Sequence, residues 1–478
     1  MTKVLSLFRH RRNDLDMTQG SIAGNLLQFA LPLLLGNLFQ QLYNLTDTWV
    51  IGQTGVNGAY AAVGTMGPVI NMFIGFFLGL SSGAGVVISQ YFGAGNREQV
   101  KKTVHTAITM TLIMAVFFTV AGVILAPYLL NFMLHNQDGA SVIYPHAKTY
   151  ITIYFSGVVG LMIYNIGAGI LRAIGDSQRP FYYLIVSALT NIALDFLFVF
   201  GFDMGVAGVA IATVIAQAAS AVLVVIALLR SDTCVKLIPR ELGIDKNVLR
   251  QIVRVGIPAA IQMMLTSFAN IFVQSYIAGV NVVPPEGFDL QEAQAHCMGG
   301  WTTYSKIDMF IFMPVQSLAL AVTTFVGQNL GGGSISRAKK GTTVAFLMSL
   351  ASAAALIVTV MIFARPISAL INDDPHILEY AVTFLRYISP FYLLCCVNQI
   401  FSAALRGAGN SRAPMIIMLS TFVGVRQLYM YLMSTFISND PIPVAMGYPV
   451  GWLACAVTTL VYYFCIFRYE KSRLVTEG

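Results

Sequence analysis

The sequence predicts an all-α polytopic membrane protein: twelve transmembrane helices in two six-helix bundles, related by an axis along the membrane normal. Three observations lead to this reading: an apolar, charge-poor composition, a one-sided placement of the basic residues, and an internal repeat. Hydrophobic residues make up 56% of the 478 and charged residues 10%, whereas about a quarter of a soluble domain is charged. A soluble chain of this length would form several domains, and so few charges could not cover their surfaces. Instead, apolar stretches of about twenty residues, enough for a helix to cross a bilayer, alternate with short polar connections.

The stretches lie at roughly 25–51, 60–91, 104–130, 149–171, 181–201, 205–229, 255–280, 300–328, 342–364, 380–405, 414–436 and 446–467. Several contain Gly or Pro, which membrane helices tolerate because neighbouring helices re-satisfy the freed backbone groups. With the N-terminus inside, most of the 28 Lys and Arg fall in inner segments, among them Lys101, Lys102, Arg240, Lys246, Arg250, Lys339 and Lys340. The outer loops receive only Lys148 and Arg365. This bias is the positive-inside rule; it places both termini in the cytoplasm and requires an even number of spans. The net charge of +7 therefore reflects membrane topology, and no nucleic-acid partner is expected.

The expected organisation is a cytoplasmic tail (1–24), a first six-helix lobe (25–229), a cytoplasmic linker (230–254), a second lobe (255–467) and a cytoplasmic tail (468–478). Residues 1–24 are polar and basic and lack the apolar core and cleavage site of a signal peptide. The six cysteines are scattered, mostly within spans, with only Cys297 at an outer loop. They read as packing residues, without a disulfide framework or metal-ligand spacing. The six histidines show no HExxH-like spacing, and neither an enzyme nor a cofactor is expected.

The two halves repeat each other. Leu31-Pro32 opens span 1 as Ile257-Pro258 opens span 7. Gln90-Tyr91-Phe92-Gly93-Ala94-Gly95 follows span 2 as Gln328-Asn329-Leu330-Gly331-Gly332-Gly333 follows span 8. Leu171-Arg172-Ala173-Ile174-Gly175-Asp176-Ser177 ends span 4 as Leu405-Arg406-Gly407-Ala408-Gly409-Asn410-Ser411 ends span 10. The offsets are 226, 238 and 234, the increase being met by a longer outer loop at 281–298. Glycines past a helix end suit left-handed caps, and an Arg there favours the helix dipole. The glycine motifs thus read as structural turns and inner anchors, since no strand or Lys-Ser/Thr marks a phosphate loop.

These motifs, with Asp47-Thr48-Trp49-Val50-Ile51-Gly52 and Gly205-Val206-Ala207-Gly208-Val209-Ala210-Ile211-Ala212-Thr213, resemble those of the multidrug and toxic compound extrusion (MATE) family over nearly the whole chain. The resemblance implies a V-shaped cavity between two bundles. It also implies a monomeric secondary antiporter that exports amphiphilic organic cations in exchange for H⁺ or Na⁺ by alternating access, with the bilayer and small-molecule substrates as its partners. The expected location is a bacterial inner membrane. The alternative function is a lipid-linked saccharide flippase of the same superfamily, which would be expected to carry extra spans and an Arg- and Lys-rich cavity.

Ionisable groups inside spans are costly and are functional candidates by default. In span 1, Gln40, Tyr43, Asn44 and Asp47 recur at helical spacing on one face; in span 5, Ser187, Asn191 and Asp195 do the same. Such stripes need buried partners and could meet inside the first lobe. The resemblance implies an ion-coupling site at Asp47, Asn191, Asp195 and Thr213, joined by Tyr43 and Tyr150; the same oxygen set suits Na⁺, with no other metal expected. The alternative is that these groups only pin helices together. The repeat offsets place Val273 and Tyr429 at the positions of Asp47 and Asp195, so the second half lacks both carboxylates. In span 8, Lys306 and Asp308 read as an ion network lining or gating the cavity. Arg426 in span 11 reads as paired with a buried acceptor. Pro32 interrupts the hydrogen-bond ladder of span 1 and is a candidate bending point.

Overall fold

The computed structural model describes residues 15–53, 59–134, 140–284 and 287–469. The described chain is helical, with eleven helices long and apolar enough to cross a membrane and a twelfth span if one bent pair is counted. In chain order they are α1 (Ile22–Gln53), α2 (Ala59–Gly93), α3 (Arg97–Leu134), the bent pair α4 (Ala140–Ser156) and α5 (Val158–Ala173), α6 (Gln178–Asp195) and α7 (Gly205–Leu229). The second set comprises α8 (Lys246–Ala278), α9 (Leu290–Gly331), α10 (Ile335–Ala369), α11 (Pro375–Ile388) with α12 (Tyr392–Gly407), then α13 (Arg412–Met418) with α14 (Arg426–Leu432), and α15 (Gly447–Val461). These twelve spans form two bundles, with Phe117, Val116, Leu347 and Ile362 among the outward-facing apolar side chains.

Several helices start earlier than the apolar stretches suggest, because caps extend them through polar residues. The side chain of Asp245 accepts hydrogen bonds from the backbone of Asn247 and Val248, so α8 begins inside the stretch 230–254. Asp289 and Glu292 form a capping box at the start of α9. Cys297, expected at an outer loop, is therefore helical and fully buried. The α4–α5 span bends by 47° at Gly157, where an added Cβ would sit 2.3 Å from the Val214 side chain; the glycine allows α7 to approach closely. α6 continues as a π-helical segment, Phe196–Gly201, directly after Asp195. The span of α13 and α14 likewise contains π-helical segments at Leu419–Val425 and Met433–Ile437.

The bundles meet chiefly along α2 and α8, with further contact between α9 and both α1 and α2. Small residues make this approach close, as is common between membrane helices. A Cβ at Gly75 would lie 3.3 Å from Met263, at Gly79 2.3 Å from Ala260 and at Gly83 2.3 Å from Gly256. Nothing lies within 4 Å of a Cβ at Gly67. The α2–α8 contact thus tightens toward the end of α2 that carries the glycine motif.

The four motif glycines Gly95, Gly175, Gly333 and Gly409 have φ of +71°, +94°, +74° and +83°, as the cap reading of the repeat anticipates. The first described residues, expected as part of a polar tail, are docked. Met17 is fully buried and joins Leu26 and Phe29 of α1 in one cluster with Phe325 and Val326 of α9.

Candidate functional site

α1, α6 and α7 pack side by side in the first bundle and bring together the polar residues that the sequence places on separate stripes. Asp47, Asn191, Asp195 and Thr213 are all buried. The Thr213 hydroxyl donates to Asp47 Oδ2 at 3.3 Å and to the Val209 carbonyl at 3.0 Å. Asp195 and Asn191 both neighbour Asp47, and neither end of the Asn191 amide has a hydrogen-bond partner among the described residues. When both acids are ionised, neither oxygen of Asp195 has a donor; a carboxyl–carboxyl hydrogen bond requires a proton on one of them. The arrangement suits two acids sharing a proton, because like charges this close in a buried site repel. Ser187, one turn further along α6, donates to the Ala216 carbonyl at 2.8 Å and ties α6 to α7.

An aromatic group borders the carboxyls. Tyr43 adjoins Asp47 and interacts with Gln40, while Tyr150 lies within electrostatic reach of both Asp47 and Asp195. Tyr150 stacks on Tyr154 with ring centroids 6.4 Å apart, and Tyr154 in turn faces Gln217. Tyr154 and Gln217 are additions that sequence reasoning missed. The i, i+4 spacing of the two tyrosines was the available signal, but nothing local distinguishes it from packing. Asn44 is exposed and stands apart from the buried cluster, so Tyr43 is the neighbour of Asp47 that points inward. α1 runs through Pro32 as one continuous helix, so this structure holds that proline in an unbroken span.

In the second bundle the structure gives Asp308 and Arg426 aromatic neighbours. No ion pair joins Lys306 to Asp308 among the described residues; the Tyr304 hydroxyl donates to Asp308 Oδ1 at 3.3 Å. At two residues' separation, the lysine and the aspartate leave the helix in different directions. Arg426 is 2% exposed and has no buried acceptor on Nε or Nη2, contrary to the expectation of a hydrogen-bonded partner. Its guanidinium instead lies 5.5 Å from the Phe422 ring centre and 4.9 Å from that of Tyr448. Cation–π attraction partly replaces the lost solvation.

Where the bundles meet, the repeat motifs form a seam with approximate two-fold symmetry. Gln90 donates to the Gly407 carbonyl at 2.8 Å, and Gln328 donates to the Ala173 carbonyl at 2.9 Å. Each glutamine thus reaches from its own bundle to the equivalent helix end of the other. The backbones touch beside them: a Cβ at Gly93 would lie 1.9 Å from the Gln328 carbonyl oxygen, and one at Gly331 would lie 1.9 Å from that of Gln90. The N-terminal segment covers the seam. Met17 donates its N–H to Gln328 Oε1 at 3.0 Å, and its carbonyl accepts from Asn329 and Arg337. Gln328→Ala removes two buried hydrogen bonds at once and is expected to lower stability by about 1–3 kcal/mol. A thermal-unfolding shift smaller than that of an exposed control, such as Gln53→Ala, would contradict this account of the seam.

The fold and this buried site define a polytopic, two-bundle membrane protein with titratable groups inside one bundle. A family model, MatE, matches residues 32–197 and 293–432. The probable multidrug resistance protein YoeA of Bacillus subtilis is 29% identical, over 93% of this chain and 94% of its own length. The probable multidrug resistance protein NorM of Thermotoga maritima is 27% identical, over 95% of each chain. A FAD transporter of Shewanella oneidensis is 23% identical, over 83% of this chain and 85% of its own. Among solved structures, an outward-facing multidrug resistance MATE family transporter superposes with a TM-score of 0.85 at 22% identity, covering 95% of this chain and 98% of that one. The chain belongs to the MatE family of membrane transporters, and it is not an enzyme.

Proposed function

We propose that this protein is a secondary antiporter that exports amphiphilic organic cations in exchange for an inward-moving ion, with H⁺ as the ion and the Asp47–Asp195 pair as its carrier. The observation that carries this reading is the meeting of two buried carboxyls from α1 and α6 with Thr213 of α7. Ionised, the pair attracts a cationic substrate; protonated from outside, it loses that attraction and substrate release is favoured. A membrane potential contributes about 2.3 kcal/mol per charge per 100 mV. The basic residues near it support a cytoplasmic position for the α2–α9 seam; on that reading a closed seam corresponds to a site reached from outside. The relatives named as multidrug resistance proteins support drug-like substrates; none of those cited favours the flippase alternative.

Purified protein reconstituted in liposomes tests the ion. Ethidium efflux is expected to follow an imposed pH gradient at constant Na⁺. Efflux that follows a Na⁺ gradient at constant pH would instead assign Asp47, Asn191, Asp195 and Thr213 to Na⁺, whose hard character suits carboxylate, amide and hydroxyl oxygens.

A further inference from the structure

The carboxylate site lies between α1, α6 and α7. The repeat relates these helices to α8, to the span of α13 and α14, and to α15, which also pack together in the second bundle. At an offset of 234, Arg426 stands at the position of Ile192, beside Asn191, and Tyr429 stands at that of Asp195. The second bundle therefore holds a buried cation on the helix equivalent to the one that carries Asp195. Phe422 and Tyr448 face the guanidinium, while its Nε and Nη2 are buried without an acceptor. These two nitrogens share one edge of the guanidinium, the edge whose parallel N–H groups match the two oxygens of a carboxylate.

We propose that Arg426 forms a carboxylate-binding site in the second bundle, taking the anionic end of an aromatic, amphiphilic substrate. This rests on the transport reading for its role. An aromatic wall is already present: Trp301 lies 5.5 Å and Trp452 5.6 Å from the Tyr448 ring. Asp308 is the acidic group whose charge also reaches the Tyr448 hydroxyl. No ion pair joins it to Arg426 among the described residues, so that edge of the guanidinium has no acidic partner within the bundle.

Trp301 and Trp452 are two of only three tryptophans in the chain, so tryptophan emission of the purified full-length protein in nanodiscs reports on this site. Benzoate is expected to produce a saturable change, with benzamide at least about tenfold weaker. Arg426→Gln is expected to weaken benzoate by a similar factor, and Arg426→Lys, which keeps the charge but loses the two-nitrogen edge, by less. Asp47→Asn is expected to leave benzoate binding intact. Equal titration by benzoate and benzamide, which requires no variant, would overturn the proposal. So would unchanged benzoate binding in Arg426→Gln, or reproduction of the benzoate signal by equal chloride. Ethidium efflux measured on the same preparation separates the two readings: absent benzoate binding with intact efflux removes this site and leaves the transport reading standing.

Discussion

Asp47→Asn and Asp195→Asn proteins, present in the membrane at wild-type levels, are expected to lose at least about tenfold in proton-driven drug efflux, ~1.4 kcal/mol or more of the driving step. Asparagine keeps the size and much of the hydrogen bonding of each side chain but cannot exchange a proton. Asp47 accepts from Thr213 and stands against Asp195, so neutralising either acid abolishes the pair whose repulsion one proton relieves. Thr213→Ala removes only a donor to Asp47 and is expected to have a smaller effect. The measurement is the initial rate of ethidium efflux at fixed pH gradient, normalised to protein in the membrane. Wild-type rates in both Asp→Asn variants would mean that the carboxyls serve packing alone. A loss confined to one variant would assign the proton to that acid rather than to the pair.

The second large effect is expected at the seam. Gly93→Ala and Gly331→Ala each place a methyl group 1.9 Å from a backbone carbonyl oxygen of the other bundle, and backbone on both sides leaves no flexible side chain to yield. Overpacking of this kind costs about 1–3 kcal/mol, a roughly 5- to 150-fold shift between two conformations. The shift disfavours the closed seam. Ser89 is buried beneath it, against Gly327. A Ser89→Cys probe, with the exposed Cys465 and the half-buried Cys234 replaced by Ser, is therefore expected to react faster with a polar maleimide in either Gly→Ala background. Unchanged labelling would show that the seam is not the closing contact. Transport should slow as well, since alternating access requires the seam to form and to open.

Much of this was legible in the primary structure. Apolar length and scarcity of charge specify spans because a bilayer offers the backbone no water, and the asymmetry of Lys and Arg supplies the orientation proposed for them. The paired motifs disclose two related halves, and the motif glycines that cap helices are recognisable because left-handed backbone favours glycine. The separate stripes on α1 and α6 identify Asp47 and Asp195 because a charged group inside an apolar helix is too costly to be incidental. Helix ends were less legible: Asp245 and Asp289 extend α8 and α9 through polar residues that apolarity alone assigns to loops.

Other features arise only when helices distant in sequence meet. Gly93 and Gly95 look alike in the chain, yet Gly95 is a left-handed cap and Gly93 a helical point of contact between bundles. That difference depends on a carbonyl more than two hundred residues away. Lys306 and Asp308, two residues apart, leave α9 on different faces, and only the structure shows that the acid meets the Tyr304 hydroxyl. Arg426 reads as a residue in need of an acceptor, and packing surrounds it with rings instead. By itself the sequence determined which residues are costly to bury and where the chain crosses the membrane, because both follow from composition along a single helix. The tertiary structure alone decided which of those residues share a site, because partners in a buried network are set by packing between helices.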